Sequence, residues 1–484
     1  MGGTWHGSYE SVVSSLGEAI KKGRRVVFVG LGKRAVSAAR VLRARGIEVC
    51  ILEQQSVERT RRAWLGDSFL SSTEISEFGV VFDVDGEKVV PYLLEACAAI
   101  LSPGVSIESS VPGILSRLMI PTYSHIELDM YLKSQESVLI VGTNGKTSTA
   151  SLIATMTKYT SRHDGVGTPT SEKGTLSQYE IVTASALELE ASHHLKPRVA
   201  ACVNAAPAFL ERYGSQDRYI TTLRKAFDNQ SSADFCVINC DDPNAFKVLA
   251  GKPGNRIGIS EHLRSQDSKK LDGWVRIEGR QLYADIFGEA QNFHLSGGFW
   301  TDRHNVYNAA IAVGVATVLG VSNEVIQTVL LTCKPEKYRQ SWVVSPRSGI
   351  PVCNDAKSTN VYATRAALSA ARSRYPDLQV VLIMGGIAQE AEWFSFIGEF
   401  RESVCRTVCF GEDASLLARA CRCEGVDAVE VESFAEAVRL GYKEASEQSK
   451  RLLLLSPGCL SLDEFRSYRE RGRMFDEYLQ SLDI

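Results

Sequence analysis

The chain is 484 residues long, 44% hydrophobic and 23% charged, and its 54 Lys and Arg nearly balance 57 Asp and Glu for a formal net charge of −3. That length exceeds one ordinary domain, so about two to four are expected, with ample apolar residues for several cores. The near-neutral balance excludes a strongly charged binding face: no nucleic-acid partner is expected, and only local basic patches are left to bind phosphates.

The opening stretch MGGTWHGSYESVVSSLGEAIKKGRR has no apolar run of the secretory kind. No stretch reaches the about 18 uncharged apolar residues that a membrane span needs. The expectation is a soluble, cytoplasmic protein with no membrane span. From residue 24, RRVVFVG is a β-branched strand, LGKRAVSAARVLRARG an amphipathic helix and IEVCILE a second strand. AAILSPG, residues 98–104, reads as a further buried strand ending in a turn. This alternation predicts a parallel sheet with helices on its faces. The turn Gly30-Leu31-Gly32-Lys33-Arg34-Ala35 is a loosened dinucleotide fingerprint, and Glu53 closes the second strand where an acid suits a ribose or a neighbouring loop. A dinucleotide and another anionic, nucleotide-like ligand both stay open from this turn alone.

A second segment opens near His125 and holds VLIVGTNGKTSTASLI, residues 138–153. A strand runs into a Gly-rich turn and then into a helix, which aims backbone N–H groups and a helix dipole at a phosphate. Lys146 reaches outer phosphates, and the Thr147 hydroxyl is placed for Mg²⁺. The full phosphate-loop pattern wants Gly at position 140, where this chain has Ile140, so the loop is a shortened form. RVAACVN and DFCVINCDD are buried strands ending in Asn or Asp. Residues 270–300 alternate polar and apolar residues and predict a small antiparallel patch. RHNVYNAAIAVGVATVLGV is a helix with Ala, Val and Leu at core-facing spacing.

A third segment begins near Lys334. Its buried strands lie in PVCNDAKSTN, LQVVLIMGG, RTVCFGE and RLLLLSPG, separated by helical stretches such as VYATRAALSAARSR. This predicts another α/β domain. The 12 cysteines lack paired metal spacing. The nearest approach is Cys405 with Cys409 and Cys421 with Cys423; the flanking VCFGEDASLLARACRC reads as strand, turn and helix, and reduced buried thiols are the expectation.

At VGTNGKTST the sequence resembles the ATP loop of the Mur ligases, the amide-forming enzymes of peptidoglycan precursor synthesis. VVFVGLGKRAVS, ILSPGVSI, HIELDMYL, RHNVYNAAIA, NDAKSTNVYATRAAL and LLLLSPGCLSLDEFRSYRERGRMF resemble further family motifs in order, over nearly the whole chain, and most nearly those of the glutamate-adding branch. The resemblance implies three α/β domains: a Rossmann-like UDP-binding domain (1–122), a central phosphate-loop ATPase domain (123–332) and a C-terminal Rossmann-like amino-acid domain (333–484). It implies ATP and Mg²⁺ as cofactors, with UDP-N-acetylmuramoyl-L-alanine and D-glutamate as substrates of a monomer. ATP would phosphorylate the substrate carboxylate, and the glutamate amine would attack the acyl phosphate. Carried over, Gly142, Thr143, Asn144, Gly145, Lys146, Thr147 and Ser148 hold ATP phosphates, with Lys146 and Thr147 catalytic and Asn305 and Asn308 near adenine. Lys33, Arg34 and Glu53 serve the UDP substrate. Lys357, Thr359, Ser461, Leu462 and Tyr468 hold glutamate, with Tyr468 where the family usually has Phe.

The departures cluster at the metal. Thr183 stands at the family's metal-binding Glu and Glu188 at its Gln, and a slipped register lets Glu188 or Glu190 serve as the substitute ligand. Ala208 and Phe209 replace an Asp-His pair, and Leu223 a lysine that becomes carbamylated, with Lys225 two residues on. Pro169, Lys337 and Ile387-Ala388-Gln389 depart at other contacts. Two readings follow: an active ligase with rearranged metal ligands, or a degenerate relative that binds nucleotide or UDP-sugar in a regulatory or scaffolding role. A ligase for a different acid or amine is a third.

Overall fold

The computed structural model describes residues 16–18, 20–21, 25–58, 60, 70–103, 105–106, 108–133, 135–163, 179–207, 210–249, 251–263, 271–297, 300, 303–333, 337–388 and 393–483. It divides into two compact units, Met1–Cys333 and Lys334–Ile484. Pro169, Ala208, Phe209 and Gln389 lie outside the described residues.

The first unit carries two sheets. β1 (Arg25–Val29), β2 (Glu48–Leu52), β3 (Val80–Val81), β4 (Ala96–Leu101) and β5 (Thr122–Ser124) form an all-parallel sheet in the order β3-β2-β1-β4-β5. The apolar run of β1 splits by parity: Val26 and Phe28 enter one core with Ile51, Ile100 and Tyr123, and Val27 and Val29 enter another with Cys50 and Leu101. Burial on both faces is what an uninterrupted β-branched run encodes. Helix α1 (Lys33–Ala44) follows the Gly-rich turn, and α2 (His125–Lys133) follows β5.

The second sheet runs β13-β12-β11-β10-β9-β8-β6-β7. Its strands are β6 (Glu136–Val141), β7 (Tyr179–Thr183), β8 (Val199–Cys202), β9 (Phe235–Asn239), β10 (Asn255–Ser260), β11 (Gly273–Glu278), β12 (Gln281–Ile286) and β13 (Glu289–His294). It is parallel up to β11, and the β11–β12 and β12–β13 pairs are antiparallel, as the alternating stretch predicts. Helix α3 (Lys146–His163) leaves the phosphate-type turn, α4 (Ala186–Leu189) follows β7, α5 (Gln216–Arg224) follows β8, and α6 (Arg303–Val318) and α7 (Asn323–Thr332) close the unit. Sequence periodicity gives α6 one core-facing side, whereas the structure buries it on every side from residue 305 to 316. It packs on α3 and on β9 and β11, and its small residues let those neighbours approach.

The two sheets of this unit are tied by polar contacts as well as packing. The buried Glu127 of α2 receives Ser124 N–H (2.7 Å) on one oxygen and the N–H groups of His193 (2.8 Å) and His194 (2.6 Å) on the other. Burial raises its pKa against those bonds.

The second unit holds β14 (Ser341–Val344), β15 (Pro351–Asn354), β16 (Gln379–Gly385), β17 (Val404–Phe410), β18 (Ala428–Glu430) and β19 (Arg451–Gly458) in the order β14-β15-β19-β16-β17-β18, parallel except for β14. Helices α8 (Val361–Arg374), α9 (Phe434–Ser446) and α10 (Tyr468–Asp483) cover it. Among the described residues, no helix is long and apolar enough to cross a membrane.

Candidate functional site

In each parallel sheet the chain reverses its winding beside one strand, and loops at the carboxyl ends of strands open a crevice there. In the second sheet the reversal falls at β6, between β8 and β7, and the turn leaving β6 is the Gly-Thr-Asn-Gly-Lys-Thr loop. Two glycines make that loop possible. Gly142 (φ +130°) lies where a Cβ would meet the Asn204 carbonyl oxygen at 2.6 Å. At Gly145 (φ +85°) a Cβ would collide with the Asn308 side chain. The Asn204 amide clamps the loop: its oxygen accepts Asn144 N–H at 2.9 Å and its nitrogen donates to Asn144 O at 3.0 Å. Thr143 Oγ1 donates to Ala206 O (2.8 Å) and meets the Tyr219 hydroxyl at 2.9 Å. Lys146 folds back, its ammonium donating to Gly142 O (2.6 Å) and Thr143 O (2.9 Å). Thr147 is exposed and Ser148 half-buried.

Asn305 and Asn308 are both buried on α6. Asn308 backs the loop from inside, its oxygen 3.4 Å from Thr149 Oγ1. Beside them, Asp241 gathers Ser260 Oγ (2.6 Å), Glu261 N–H (2.6 Å) and the Tyr307 hydroxyl. Burial opposes its ionisation, yet these hydrogen bonds outweigh it and hold the carboxyl below its ordinary value. Arg303 makes a forked ion pair with Glu261 and lies over the Tyr307 ring.

The expected carboxylate ligands are otherwise engaged. Thr183 ends β7 in register with Ile140. Glu188 closes a capping box with Ser185, whose N–H lies 2.7 Å from Oε2, while Oε1 is ion-paired with Arg34. Glu190 receives a forked pair from Arg212 at 2.8 and 2.6 Å. Leu223 is fully buried, and Lys225 points its ammonium at the Glu190 carbonyl. Burial lowers the pKa of Lys225. Among the described residues, no three His, Cys, Asp or Glu stand close enough to hold a metal ion. The exposed Thr147 hydroxyl is of a chemistry that fits one Mg²⁺ shared with nucleotide phosphates, and neither Glu188 nor Glu190 is an unengaged carboxylate for a second.

In the first sheet the reversal falls between β1 and β4, where a cavity of about 510 Å³ opens among Gly30, Arg34, Glu53, Gln54, Ser102 and His125. Glu53 turns inward: Oε2 accepts Leu31 N–H (2.7 Å) and Oε1 Gln55 N–H (2.9 Å), so the carboxylate occupies an anion position of the Gly-rich turn. Ser102 Oγ donates to Gly30 O at 2.8 Å and lies 3.1 Å from His125 Nε2, which assigns the ring an Nε2–H donor. Burial, helped by Arg34, pushes the His125 pKa down to about 4. Lys33 begins α1 next to this cavity in sequence.

In the second unit, Lys357 follows β15, and Ser461 and Leu462 follow the neighbouring β19. The Lys357 ammonium lies 5.6 Å from the centre of the Tyr468 ring, a cation–π contact. Ser461 is buried, while Leu462 and Thr359 are at least partly exposed. Ile387 is zipped to Leu460 by two backbone bonds of 3.0 and 2.9 Å, and Ala388 N–H reaches Asp413 at 2.7 Å. Lys337 is exposed. Sequence reasoning missed Arg471, fully buried, which fans its guanidinium onto Ala356 O (3.0 Å), Cys459 O (3.1 Å) and Gly385 O (3.3 Å). It also missed the Asn204 clamp and the Ser102–His125 pair. A charged residue amid the apolar spacing of a terminal helix was the one available signal for Arg471.

Comparison with known proteins bears on all three clusters. The family described as Mur ligase middle domain matches residues 140–316, and the Mur ligase glutamate ligase domain matches 339–459. Similar curated proteins include the UDP-N-acetylmuramoylalanine–D-glutamate ligases of Shouchella clausii (29% identity, 95% of this chain and 97% of the relative) and Pelotomaculum thermopropionicum (28%, 95% and 98%). That of Latilactobacillus sakei is 27% identical over 96% of this chain and 99% of the relative. Among solved structures, UDP-N-acetylmuramate-alanine ligase MurC of Thermotoga maritima aligns with TM-score 0.53 at 18% identity, over 95% of this chain and 99% of that one. MurF ligase of the same organism, in complex with ADP, aligns with TM-score 0.51 at 15% identity, over 96% and 97%.

Proposed function

The chain belongs to the Mur ligase family, and from that membership we propose that it is an ATP-dependent ligase joining D-glutamate to UDP-N-acetylmuramoyl-L-alanine. The observation that supports it most directly is the clamped glycine loop, with the Lys146 ammonium folded onto its carbonyls and the exposed Thr147 at the start of α3. In this reading the chain has three domains, 1–122, 123–332 and 333–484, and works as a cytoplasmic monomer.

The substrate's alanyl carboxylate attacks the γ-phosphorus of ATP and forms an acyl phosphate with release of ADP. The glutamate amine then adds to the acyl carbon, loses a proton, and the tetrahedral adduct collapses to amide and phosphate. Lys146 leaves the Gly142 and Thr143 carbonyls to meet the β- and γ-phosphates, whose charge its ammonium and the loop N–H groups (residues 142–148) stabilise. Asn305 and Asn308 flank the adenine side of the loop, Asn308 also fixing Gly145 from beneath. Mg²⁺ bound with ATP would be held by Thr147, with Glu188 as a further ligand once freed from Arg34; it would neutralise phosphate charge. Lys33, Arg34 and Glu53 line the UDP end of the substrate. Lys357 pairs with a glutamate carboxylate, Tyr468 orients Lys357, and Thr359, Ser461 and Leu462 complete the amino-acid site.

The test supplies purified protein with ATP, Mg²⁺, UDP-N-acetylmuramoyl-L-alanine and D-glutamate, and follows phosphate release and product mass. Turnover that falls at least about 100-fold in Lys146→Ala is expected. Nucleotide binding without turnover in the unaltered chain would refute the ligase reading.

A further inference from the structure

Arg34 and Glu188 reach each other from the two sheets of the first unit. Arg34 stands in the first turn of α1 at the cavity wall, and Glu188 lies in α4, just after the strand that flanks β6. The Glu188 side chain is 14% exposed and that of Arg34 53%. The two carboxylate oxygens have separate tasks: Oε2 caps α4 through Ser185, and Oε1 takes the guanidinium. Among the described residues lining the cavity, Arg34 is the one permanent cation, since Glu53 is an acid and burial keeps His125 neutral. Asp129 is close enough to feel both partners of the pair. An entering diphosphate therefore meets a guanidinium that already holds a carboxylate, and two anions on one donor face repel each other.

We propose that Glu188 is a built-in competitor for the cavity's anion: it occupies Arg34 while the cavity is empty, and the diphosphate of the nucleotide-sugar substrate displaces it. Glu188 becomes a free carboxylate, beside the strand that leads into the ATP loop, only after that substrate has bound. The acid that the sequence puts forward in place of the Glu missing at Thr183 is in this way withheld until it is needed. The proposal rests on the reading of the cavity as the UDP site.

Calorimetric titration of the full chain with UDP, without ATP or metal, tests it. Glu188→Gln is the informative variant, because Gln closes a capping box as Glu does while removing the charge. UDP should bind Glu188→Gln about two- to fivefold more tightly than the unaltered chain, the range a partly exposed ion pair allows. Arg34→Ala should weaken binding, and adding Glu188→Gln to Arg34→Ala should change nothing further. Equal or weaker binding by Glu188→Gln, or a gain that persists without Arg34, overturns the proposal. Thermal melts check that each variant is folded. If neither the unaltered chain nor Glu188→Gln binds UDP, the nucleotide-sugar reading fails and takes the competitor with it; binding by the unaltered chain with no gain in Glu188→Gln removes the competitor alone.

Discussion

Asp355 follows β15 with both oxygens engaged, Oδ1 by Gln340 N–H at 3.1 Å and Oδ2 by the Ser456 hydroxyl at 2.9 Å. Burial nonetheless dominates and raises its pKa to about 7. The unfolded chain releases this proton near pH 3.9, so between about pH 4 and 7 the folded state binds more protons than the unfolded one. Stability contributed by the protonated carboxyl is complete below pH 4 and is lost as the pH rises through 7. Urea unfolding at pH 4.5 and 7.5 should therefore show a decline of up to about 3 kcal/mol that Asp355→Asn lacks. Parallel slopes in the two proteins would remove the assignment. This residue was quoted in a motif but not singled out, because nothing in NDAKSTN distinguishes a solvated Asp from one packed beneath two strand ends. The same limit applies to Glu188: the family resemblance made it a metal candidate, and only the fold shows Arg34 and Ser185 already using it.

Strands and helices were the legible layer wherever burial is two-sided and the run is long, as in β1, β4, β16 and β19. The short strands β3, β14 and β18 escaped, since they lie at or beside a sheet edge and carry two to four residues, too few for a period to register. Helix α10 was read as a motif, yet its structural task is to insert Arg471 among the strand ends of the second unit. Burial lowers the pKa of that guanidinium to about 10, so it stays charged at neutral pH. Three carbonyls from the ends of three separate strands share it, which a lysine's single point charge cannot reproduce. Arg471→Lys should cost about 2–4 kcal/mol in urea unfolding and raise KM for glutamate while leaving ATP affinity in place. An unchanged KM would show that the fan holds the fold alone.

The chain's division after Cys333 has an energetic basis, because each unit has its own apolar cores. In the second unit Val380, Leu382 and Met384 pack on one face of the sheet, and Val381, Ile383, Phe434 and Phe475 on the other. Residues 334–484 expressed alone should consequently unfold in one cooperative transition with dispersed amide signals in solution NMR; a broad, non-cooperative melt would refute their independence. The first unit is organised otherwise, for its two sheets share Glu127 and its bonds to His193 and His194, and Ala191 enters a core of the first sheet. Behind the glycine loop, α6 packs on α3 and the second sheet with twelve consecutive buried residues. A stretch without a wet face has no neutral positions: each methyl added must displace a neighbour, and each one removed leaves a void. Mutational drift in this chain is thereby pushed outward, to the surfaces that α6 supports, while the floor beneath the nucleotide loop stays still.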